Sequence, residues 1–449
     1  MNIAPSPETA VGYGSDQRFA PDAAEISSAA NPALRFLFAV FLVFAFPAFT
    51  IQLAMDMTTG MWVGSPILQV VTIASEIFVF AVALSSPGIR SLVFQCWPMW
   101  VLIGIAFLSA IWSRNAGETI HTANTYMTTA LLGVTMVGAM PQFQCIRFSV
   151  RIMVLGCILS IAWVLLFPDV AIHQLTDPYQ TVHAGLWRGI FSHKQGLGYF
   201  SGLTIGLLLF YGTSIFPLPL LIAALACSIT CLAGTQSATG IVASVITPAF
   251  LYVGHIVTRF PPPERKPVFL AFAAVAAAVG VAYKLGLLNY FVVQVLGKST
   301  DLTGRADFWP IILENFYNSG WSLFGGGFGA NIAADLSEWS VDNGYVDKFL
   351  EFGYFGSPIV VLAYGAILLG GARLILTTST ESSQTNIFPF GILCVILIVN
   401  ITESNFMTKS LSTVLTSMAL GLIFQHRTAT MQDTIPSADE AYADDELEV

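Results

Sequence analysis

One short stretch of this sequence brings cations and glycines together between two apolar runs. In WRGIFSHKQGLGYF, Arg188, His193 and Lys194 lie close along the chain with three glycines. Arginine and lysine bind phosphate oxygens, arginine through two parallel N–H donors, and glycine lets a backbone approach a ligand closely. The stretch therefore predicts a site for an anion such as pyrophosphate.

A second cation lies in STDLTGRADFW, where Arg305 follows a threonine and a glycine. Thr303 can cap a helix that runs toward Tyr317, which places Arg305 in the first turn. Because the amino-terminal end of a helix favours an anion, Arg305 is a second candidate anion ligand. The alternative is a surface pair between Arg305 and Asp307, which contributes little to stability.

Two motifs follow further along the chain. The glycine run LFGGGFGAN lacks the Gly-Lys-Ser/Thr ending of a P-loop, and it predicts either a close approach to a ligand or a hinge. VDNGYVDKFLEFGYFG begins a helical pattern that Asp342 or Asn343 can cap. Asp347 and Glu351 share one face of that helix, with Lys348 beside them. Asp342 is a candidate general base toward a hydroxyl, and Asn343 and Lys348 are candidate substrate-binding residues.

Composition predicts the elements that position these residues. The 449 residues are 55% hydrophobic and 10% charged, whereas a soluble domain carries roughly a quarter charged residues. Apolar runs of about 20 residues recur, each long enough to cross a bilayer as a helix, without the alternation that a β-barrel requires. The predicted fold is an all-α polytopic membrane protein.

Hydropathy places about twelve spans along the chain. They lie near residues 34–54, 65–86, 95–112, 122–141, 149–167, 196–212, 217–234, 237–257, 268–287, 353–376, 386–401 and 408–425. The expected domains are a disordered cytoplasmic segment (1–33), spans one to nine with an outer loop at 168–194 (34–287), a large periplasmic loop between spans nine and ten (288–352), spans ten to twelve (353–425) and an acidic cytoplasmic tail (426–449).

The distribution of lysine and arginine predicts the orientation. With the amino terminus inside, the short outer loops hold only Arg114 and Lys409, whereas the cytoplasmic loops hold Arg90, Arg147, Arg151, Arg259, Arg265, Lys266, Arg373 and Arg427. This bias places both termini in the cytoplasm and both long loops outside, in the periplasm for an inner-membrane protein. The remaining cations in or next to those loops are Arg188, Lys194, Lys298, Arg305 and Lys348. A bound anion would explain them, although long loops also escape the charge rule.

Cysteine usage points to packing and not to a metal. Cys227 and Cys231 share a helix face without a histidine or an acid beside them, so we expect core residues and no zinc site. No metal and no cofactor is predicted.

Six motifs together resemble the O-antigen ligase and polysaccharide polymerase family of bacterial membrane glycosyltransferases, and within it the exopolysaccharide polymerization proteins. In chain order they are LSAIWSRNAGETI, WRGIFSHKQGLGYF, LTGRADFW, GGGFGAN, DNGYVDKFLEFGYFG and NITESNF. The resemblance extends over most of the chain, from residue 40 to residue 425, with Gln195 where the family usually has asparagine.

This resemblance implies a bundle of about twelve helices that transfers glycans from undecaprenyl-pyrophosphate carriers. Arg188 and Arg305 would hold the pyrophosphate, with His193 and Lys194 also binding substrate. The expected reaction is a metal-independent polymerisation of undecaprenyl-pyrophosphate-linked repeat units into an exopolysaccharide. Expected partners are the lipid-linked oligosaccharide, the growing polysaccharide acceptor, membrane lipid and chain-length or export proteins, but not nucleic acid.

One departure and two alternatives accompany the resemblance. Ligases of the family have a histidine where this chain has Asp342, which argues against ligation to lipid A-core and leaves the base open between Asp342, His183 and His193. A ligase that moves a finished glycan to an acceptor shares every motif. A lipid-linked glycan transporter would show inverted repeats and acids at mid-membrane; no clear repeat is present, and Glu76 and Glu403 are the nearest such acids.

Overall fold

The computed structural model describes residues 66–176, 183–285, 305–330, 341–377 and 383–433, with the single positions Pro32, Arg35, Phe36, Phe38 and Ile332. Apart from these single positions, the predicted amino-terminal segment and first span lie outside the described residues, as does the predicted tail beyond residue 433. Within the described ranges the chain is mostly helical, and its β-type pairing is limited to one isolated bridge. The helical prediction is therefore confirmed for this part of the chain.

The helices follow one another with short connections. In chain order they are α1 (Pro66–Ser85), α2 (Pro87–Gln95), α3 (Trp97–Leu108), which continues into a 3-10 turn (Ser109–Ile111), α4 (Ala116–Ala139), α5 (Gln142–Leu166), α6 (Pro168–Ala171), α7 (Lys194–Ile215), α8 (Leu218–Thr235), α9 (Ala238–Arg259), α10 (Pro262–Lys284), α11 (Arg305–Asn318), α12 (Gly344–Thr377), α13 (Ser383–Val399) and α14 (Leu411–Asp433).

Six of these helices, α5, α7, α8, α9, α10 and α12, are long and apolar enough to span a membrane. A seventh span arises if α1 and α2, which are bent by 104° at their junction, are counted as one. Shorter apolar helices lie at Trp97–Ile111, Gln384–Val399 and Leu411–His426. The described part of the chain thus has six or seven helices that are able to span a membrane, which indicates a membrane protein with several spans.

The junction between α1 and α2 differs from the predicted loop. Residues 87–94 were expected to connect two spans, but they form most of α2. The side chain of Ser86 accepts from Ile89 N as an N-cap, and Pro87 occupies the first helical position, where its missing N–H is harmless. These two residues therefore end α1 and start a second helix in a new direction.

Helix α7 lies at the centre of the bundle. In its apolar stretch 78% of the residues are buried, against 6% to 44% in the other five span-length helices. Gly198, Gly202 and Gly206 recur at the spacing of one helix face; Gly198 faces Ser237, the N-cap of α9, and the other two face α9 itself. A Cβ at Gly202 would collide with the carbonyl oxygen of Gly240, so α7 and α9 pack with their backbones in close approach.

Several connections meet at one end of the bundle, which we call the loop end. Trp187 N, just before α7, donates to Gly234 O at the carboxyl end of α8 at 2.9 Å. Thr239, in the first turn of α9, donates to Glu403 Oε1 at 2.9 Å. Gly344 N, at the start of α12, donates to the same segment through Asn400 O (2.8 Å) and Glu403 O (2.9 Å).

The opposite end of the bundle holds the cations that were assigned to cytoplasmic loops. Arg147 and Arg151 donate to the carbonyls of Ser214 and Ile215 at the carboxyl end of α7. Arg265 is buried and donates to Ile375 O near the carboxyl end of α12. The described cations here are Arg35, Arg90, Arg147, Arg151, Arg259, Arg265, Lys266 and Arg373. The cations that the sequence assigned to cytoplasmic loops thus lie together at one end of the bundle.

Candidate functional site

The loop that carries Arg188 folds back on itself before α7. Ile172 and Trp187 form an antiparallel bridge, and His173 N donates to Leu186 O at 2.9 Å. The indole of Trp187 lies where a Cβ of Gly234 would sit. These contacts fix the loop on the carboxyl end of α8.

Arg188 is buried within this loop, with 9% of its surface exposed. Its Nε donates to Val170 O at 2.7 Å, and the N–H groups of Arg188 and Gly189 both donate to Ala171 O at 2.9 Å. Gly189 has φ +57°, and a Cβ there would collide with Ser160, so the turn requires glycine. The turn and the Nε bond together fix the orientation of the guanidinium, a planar group with five N–H donors.

Three histidine rings meet beside the amino-terminal end of α7. Their centroids are 5.0 Å apart for His183 and His193, 5.2 Å for His173 and His193, and 5.7 Å for His173 and His183. We call these three residues the histidine cluster. His173 is buried, and Lys194 begins α7 directly after His193. The cluster, the lysine and the positive helix end are therefore adjacent.

Two rings of the histidine cluster accept hydrogen bonds from the start of α7. Lys194 N donates to His173 Nε2 at 3.2 Å, and Gln195 N donates to His193 Nδ1 at 3.3 Å, which makes His193 the N-cap. An imidazole nitrogen accepts only when it carries no proton, so both bonds require neutral rings. The cationic residues of this loop and helix start are therefore Arg188 and Lys194.

A second polar group surrounds the start of α12. The side chain of Asn343, which is buried, accepts from Tyr345 N at 2.9 Å and Val346 N at 3.1 Å. Asn343 is therefore the N-cap, one of the two residues for which capping was predicted. Asp342 before it has φ +40°, a conformation that costs a non-glycine residue about 1–3 kcal/mol. The fold thus holds Asp342 in an unusual conformation at the loop end.

Glu403 packs against both α9 and the start of α12. Its carboxylate accepts from Thr239 Oγ1, its main-chain carbonyl accepts from Gly344 N, and the residue is 9% exposed. Thr402 contributes a further hydroxyl 3.3 Å from that of Thr239. Glu403 therefore belongs to the loop end.

Lys348 lies in the second turn of α12 among acids. Its Nζ is 2.6 Å from Glu351 Oε2 and 3.2 Å from Asp347 Oδ2, with side-chain exposures of 5%, 8% and 26% in the same order. The ammonium also lies 5.0 Å from the ring centroid of Phe328, and Glu351 Oε1 accepts from Gly329 N at 3.0 Å. Binding of substrate by Lys348 stays a prediction, and the fold gives its ammonium partners within the protein.

Residues 323–330 of the glycine run pack closely against other backbone segments of the protein. Positive φ occurs at Gly325 (+79°), Gly327 (+101°) and Gly329 (+67°). Gly326 N and Gly327 N donate to the carbonyls of Leu350 and Glu351 at 3.0 Å, and Gly326 O accepts from Arg114 N at 3.1 Å. The run thus joins the first turns of α12 to the connection between α3 and α4.

Two cations of the short outer loops also lie at the loop end. The guanidinium carbon of Arg114 is 4.4 Å from the ring centroid of Trp321. Lys409 is half-buried before α14, and burial lowers the pKa of its ammonium below the ordinary lysine value, with the Glu76 carboxylate acting in the opposite direction. Lys409 therefore loses its charge at a lower pH than a solvated lysine.

The predicted site residues fall into separate groups. Arg188 lies in the loop that leads into α7, His193 and Lys194 lie at the start of that helix, and Asp342 and Asn343 lie at the start of α12. Arg305 is the first residue of α11, so the predicted helix through Tyr317 is present. The guanidinium of Arg305 and the capping residue Thr303 lie outside the described part of the chain.

Among the described residues, no group of three or more histidine, cysteine or acidic side chains could hold a metal ion, the histidine cluster included. Cys227 and Cys231 are free thiols in α8, and Cys231 Sγ donates to Cys157 O at 3.3 Å.

Two residues of the loop end were not predicted from the sequence. His173 completes the histidine cluster, and the even spacing of His173, His183 and His193 in a chain with six histidines was an available signal. Thr239 donates to the Glu403 carboxylate. A lone threonine in an apolar helix has no sequence pattern that would predict this contact.

No protein-family model matches the chain, and no characterised protein matches it significantly. Function is therefore inferred from the residues at the loop end and from the sequence motifs.

Proposed function

We propose that the protein is a membrane glycosyltransferase that polymerises undecaprenyl-pyrophosphate-linked repeat units into an exopolysaccharide. The supporting observation is the position of Arg188, a buried arginine in the loop that leads into Lys194 and the amino-terminal end of α7, the most enclosed of the span-length helices. An isoprenoid pyrophosphate has an anionic head on a long apolar tail. Cations at the end of an apolar bundle match both parts of such a ligand.

In the proposed reaction, a hydroxyl of one glycan attacks the anomeric carbon of the sugar on the carrier. The bond between that carbon and the pyrophosphate oxygen breaks, and negative charge develops on the leaving pyrophosphate. Arg188, held by Val170 O, and Lys194 stabilise this charge, because donors that are already oriented need no reorganisation as the charge forms. Arg305 is proposed to act with them from the start of α11.

The attacking hydroxyl must lose a proton during the reaction. Asp342 is the proposed base, since it precedes the N-cap of α12 at the loop end and its backbone is held at positive φ. His183 and His193 are the alternatives. Both rings belong to the histidine cluster, and His193 Nδ1 is occupied by Gln195 N.

We further propose twelve spans in the inner membrane, with both termini in the cytoplasm and the loop end in the periplasm. In the short connections, the cations at the opposite end outnumber Arg114 and Lys409 at the loop end, which supports this orientation. Single cysteines at Thr176 (loop end) and Lys266 (opposite end), both exposed, test it with a membrane-impermeant thiol reagent. Thr176→Cys should react in cells with a permeabilised outer membrane, and Lys266→Cys only after the inner membrane is opened. The reverse pattern would contradict the orientation.

The function is tested by deleting the gene and complementing it with variants, followed by mass analysis of lipid-linked and secreted glycan. Wild-type protein and Lys266→Ala, which removes a cation from the opposite end, should restore long polymer. Arg188→Ala should accumulate as protein but leave single repeat units on the carrier. Long chains retained on the carrier in the deletion strain would instead indicate a ligase, and normal polymer from Arg188→Ala would refute the proposal.

A further inference from the structure

Six large side chains form an exposed patch at the loop end, which we call the aromatic patch. Its members are Ile111, Tyr317, Leu323, Phe324, Tyr354 and Phe355, between 41% and 79% exposed. They come from the turn after α3, from α11 and the turn that follows it, and from α12. Exposed apolar surfaces of this kind mark interaction sites.

The patch continues two stripes that face outward along the bundle. After its kink, α12 exposes Val361, Leu362 and Leu369, each at least 63% exposed, on the face that begins with Tyr354 and Phe355. Helix α3 exposes Leu108 just before Ile111. On a membrane-spanning helix, exposed large apolar residues face lipid. The aromatic patch therefore continues a lipid-facing surface at the loop end.

Helix length places the patch at the edge of the hydrocarbon. From Tyr354 to Thr377, α12 extends about 36 Å at 1.5 Å per residue, and the hydrocarbon core is about 30 Å thick. Arg373 lies near the far end of that segment. Tyr354 therefore lies at the boundary between hydrocarbon and head groups, where tyrosine is favoured.

Hydrogen bonds join the turn after α11 to Tyr354 and Phe355 of α12, and so place this turn at the same depth in the membrane. Gly353 has φ +60°, and beyond this kink Tyr354 N and Phe355 N donate to Ser322 O and Leu323 O at 2.9 Å. The rings of Phe324 and Phe355 lie 5.5 Å apart. Leu323 and Phe324 therefore cannot leave the membrane boundary while α12 spans the bilayer.

The tyrosine of α11 completes this attachment. The ring of Tyr317 stacks on the ring of Tyr354, with centroids 6.2 Å apart and an interplanar angle of 19°. The two hydroxyl oxygens are 3.3 Å apart. The opposite face of α11 buries Ile312 and Phe316 in a separate small core. Helix α11 is thus held between that core and the boundary.

We propose that the aromatic patch is embedded in the bilayer interface at the loop end. The partner is lipid, and the segment from Ile311 to Phe324 is a membrane-surface anchor and not part of a water-exposed loop. The anchor holds α11, with Arg305 at its start, at the depth of the head groups. This inference rests on the spanning of α12 and is independent of the proposed reaction.

Nitroxide labels on the full-length protein in phosphatidylethanolamine–phosphatidylglycerol vesicles test the proposal. The half-buried Cys227 and Cys394 are first replaced by alanine. A label at Leu323→Cys is compared with Leu362→Cys, on the lipid face of α12, and Thr176→Cys, in the other loop. Power saturation measures the access of oxygen and of a water-soluble nickel complex to each label.

We expect the Leu323 label to favour oxygen over nickel, at a depth between the other two labels, while the Thr176 label favours nickel. Nickel access at Leu323 equal to that at Thr176 would overturn the proposal. So would a water-exposed Leu323 label that becomes immobilised when soluble glycan is added, because the patch would then be a sugar-binding platform. A second label at Ile111→Cys gives the same comparison if Leu323→Cys fails to reconstitute.

Discussion

Replacing Lys348 should destabilise the protein more than replacing its partner Glu351. Lys348 was a candidate substrate ligand from the sequence, yet its ammonium is buried 2.6 Å from the Glu351 carboxylate. Lys348→Met leaves that carboxylate buried, near Asp347 and with the Gly329 N–H as its donor. Removing one partner of a buried ion pair costs about 3–5 kcal/mol.

Glu351→Gln leaves a less unfavourable arrangement. The glutamine amide oxygen can still accept from Gly329 N, and Lys348 keeps Asp347 at 3.2 Å. We therefore expect a loss of about 1–3 kcal/mol, the cost of weakening a buried hydrogen bond. The double variant Lys348→Met/Glu351→Gln should lose less than the sum of the two single losses, because no buried carboxylate remains at position 351.

Thermal unfolding of the purified protein in detergent measures this order. Lys266→Met is the matched control, since Lys266 is exposed at the opposite end of the bundle and its loss should leave the melting temperature near that of wild type. The expected order of melting temperature is wild type, Glu351→Gln, then Lys348→Met. A Lys348→Met variant that melts with the control but makes no polymer would refute the reasoning and return Lys348 to the substrate site.

Two further changes test the packing and capping of α7. His193→Ala removes the N-cap acceptor for Gln195 N and should cost about 0.5–2 kcal/mol; His193→Asn should restore the melting temperature, and an unchanged melting temperature in His193→Ala would contradict the cap. Gly202→Ala places a Cβ against Gly240 O and should cost about 1–3 kcal/mol from overpacking. Gly104→Ala, which meets nothing within 4 Å, is its control, and equal melting of the two alanine variants would argue against close packing of α7 on α9.

Most helices could be predicted because a membrane span has a strong signal in composition. Every span predicted from residue 65 onward coincides with a helix, and the helical pattern that begins at Asp342–Asn343 is the start of α12. Helix α2 was missed because Gly88 and Arg90 interrupt its apolar residues. Its formation as a separate helix depends on the Ser86 cap and on packing against α4, where Ile89 lies over Gly138.

The candidate site was predictable only where its residues are close in sequence. Arg188, His193 and Lys194 fall within one motif, so their proximity follows from their spacing. His173 reaches them through the bridge between Ile172 and Trp187, and no local pattern specifies that pairing. Lys348 pairs with Glu351, at a helical spacing that the sequence shows. The burial of Lys348, however, depends on Phe328 from the glycine run.

Arg188 is proposed to serve the transfer of a glycan from an isoprenoid pyrophosphate. The most direct measurement is chain elongation by purified protein in lipid vesicles supplied with undecaprenyl-pyrophosphate-linked repeat units, with product length read by mass spectrometry. Wild-type protein and Lys266→Ala should extend the chains, whereas Arg188→Ala, at an unchanged amount of folded protein, should leave single repeat units. Chains of wild-type length from Arg188→Ala, or no elongation by the wild-type protein, would contradict the account.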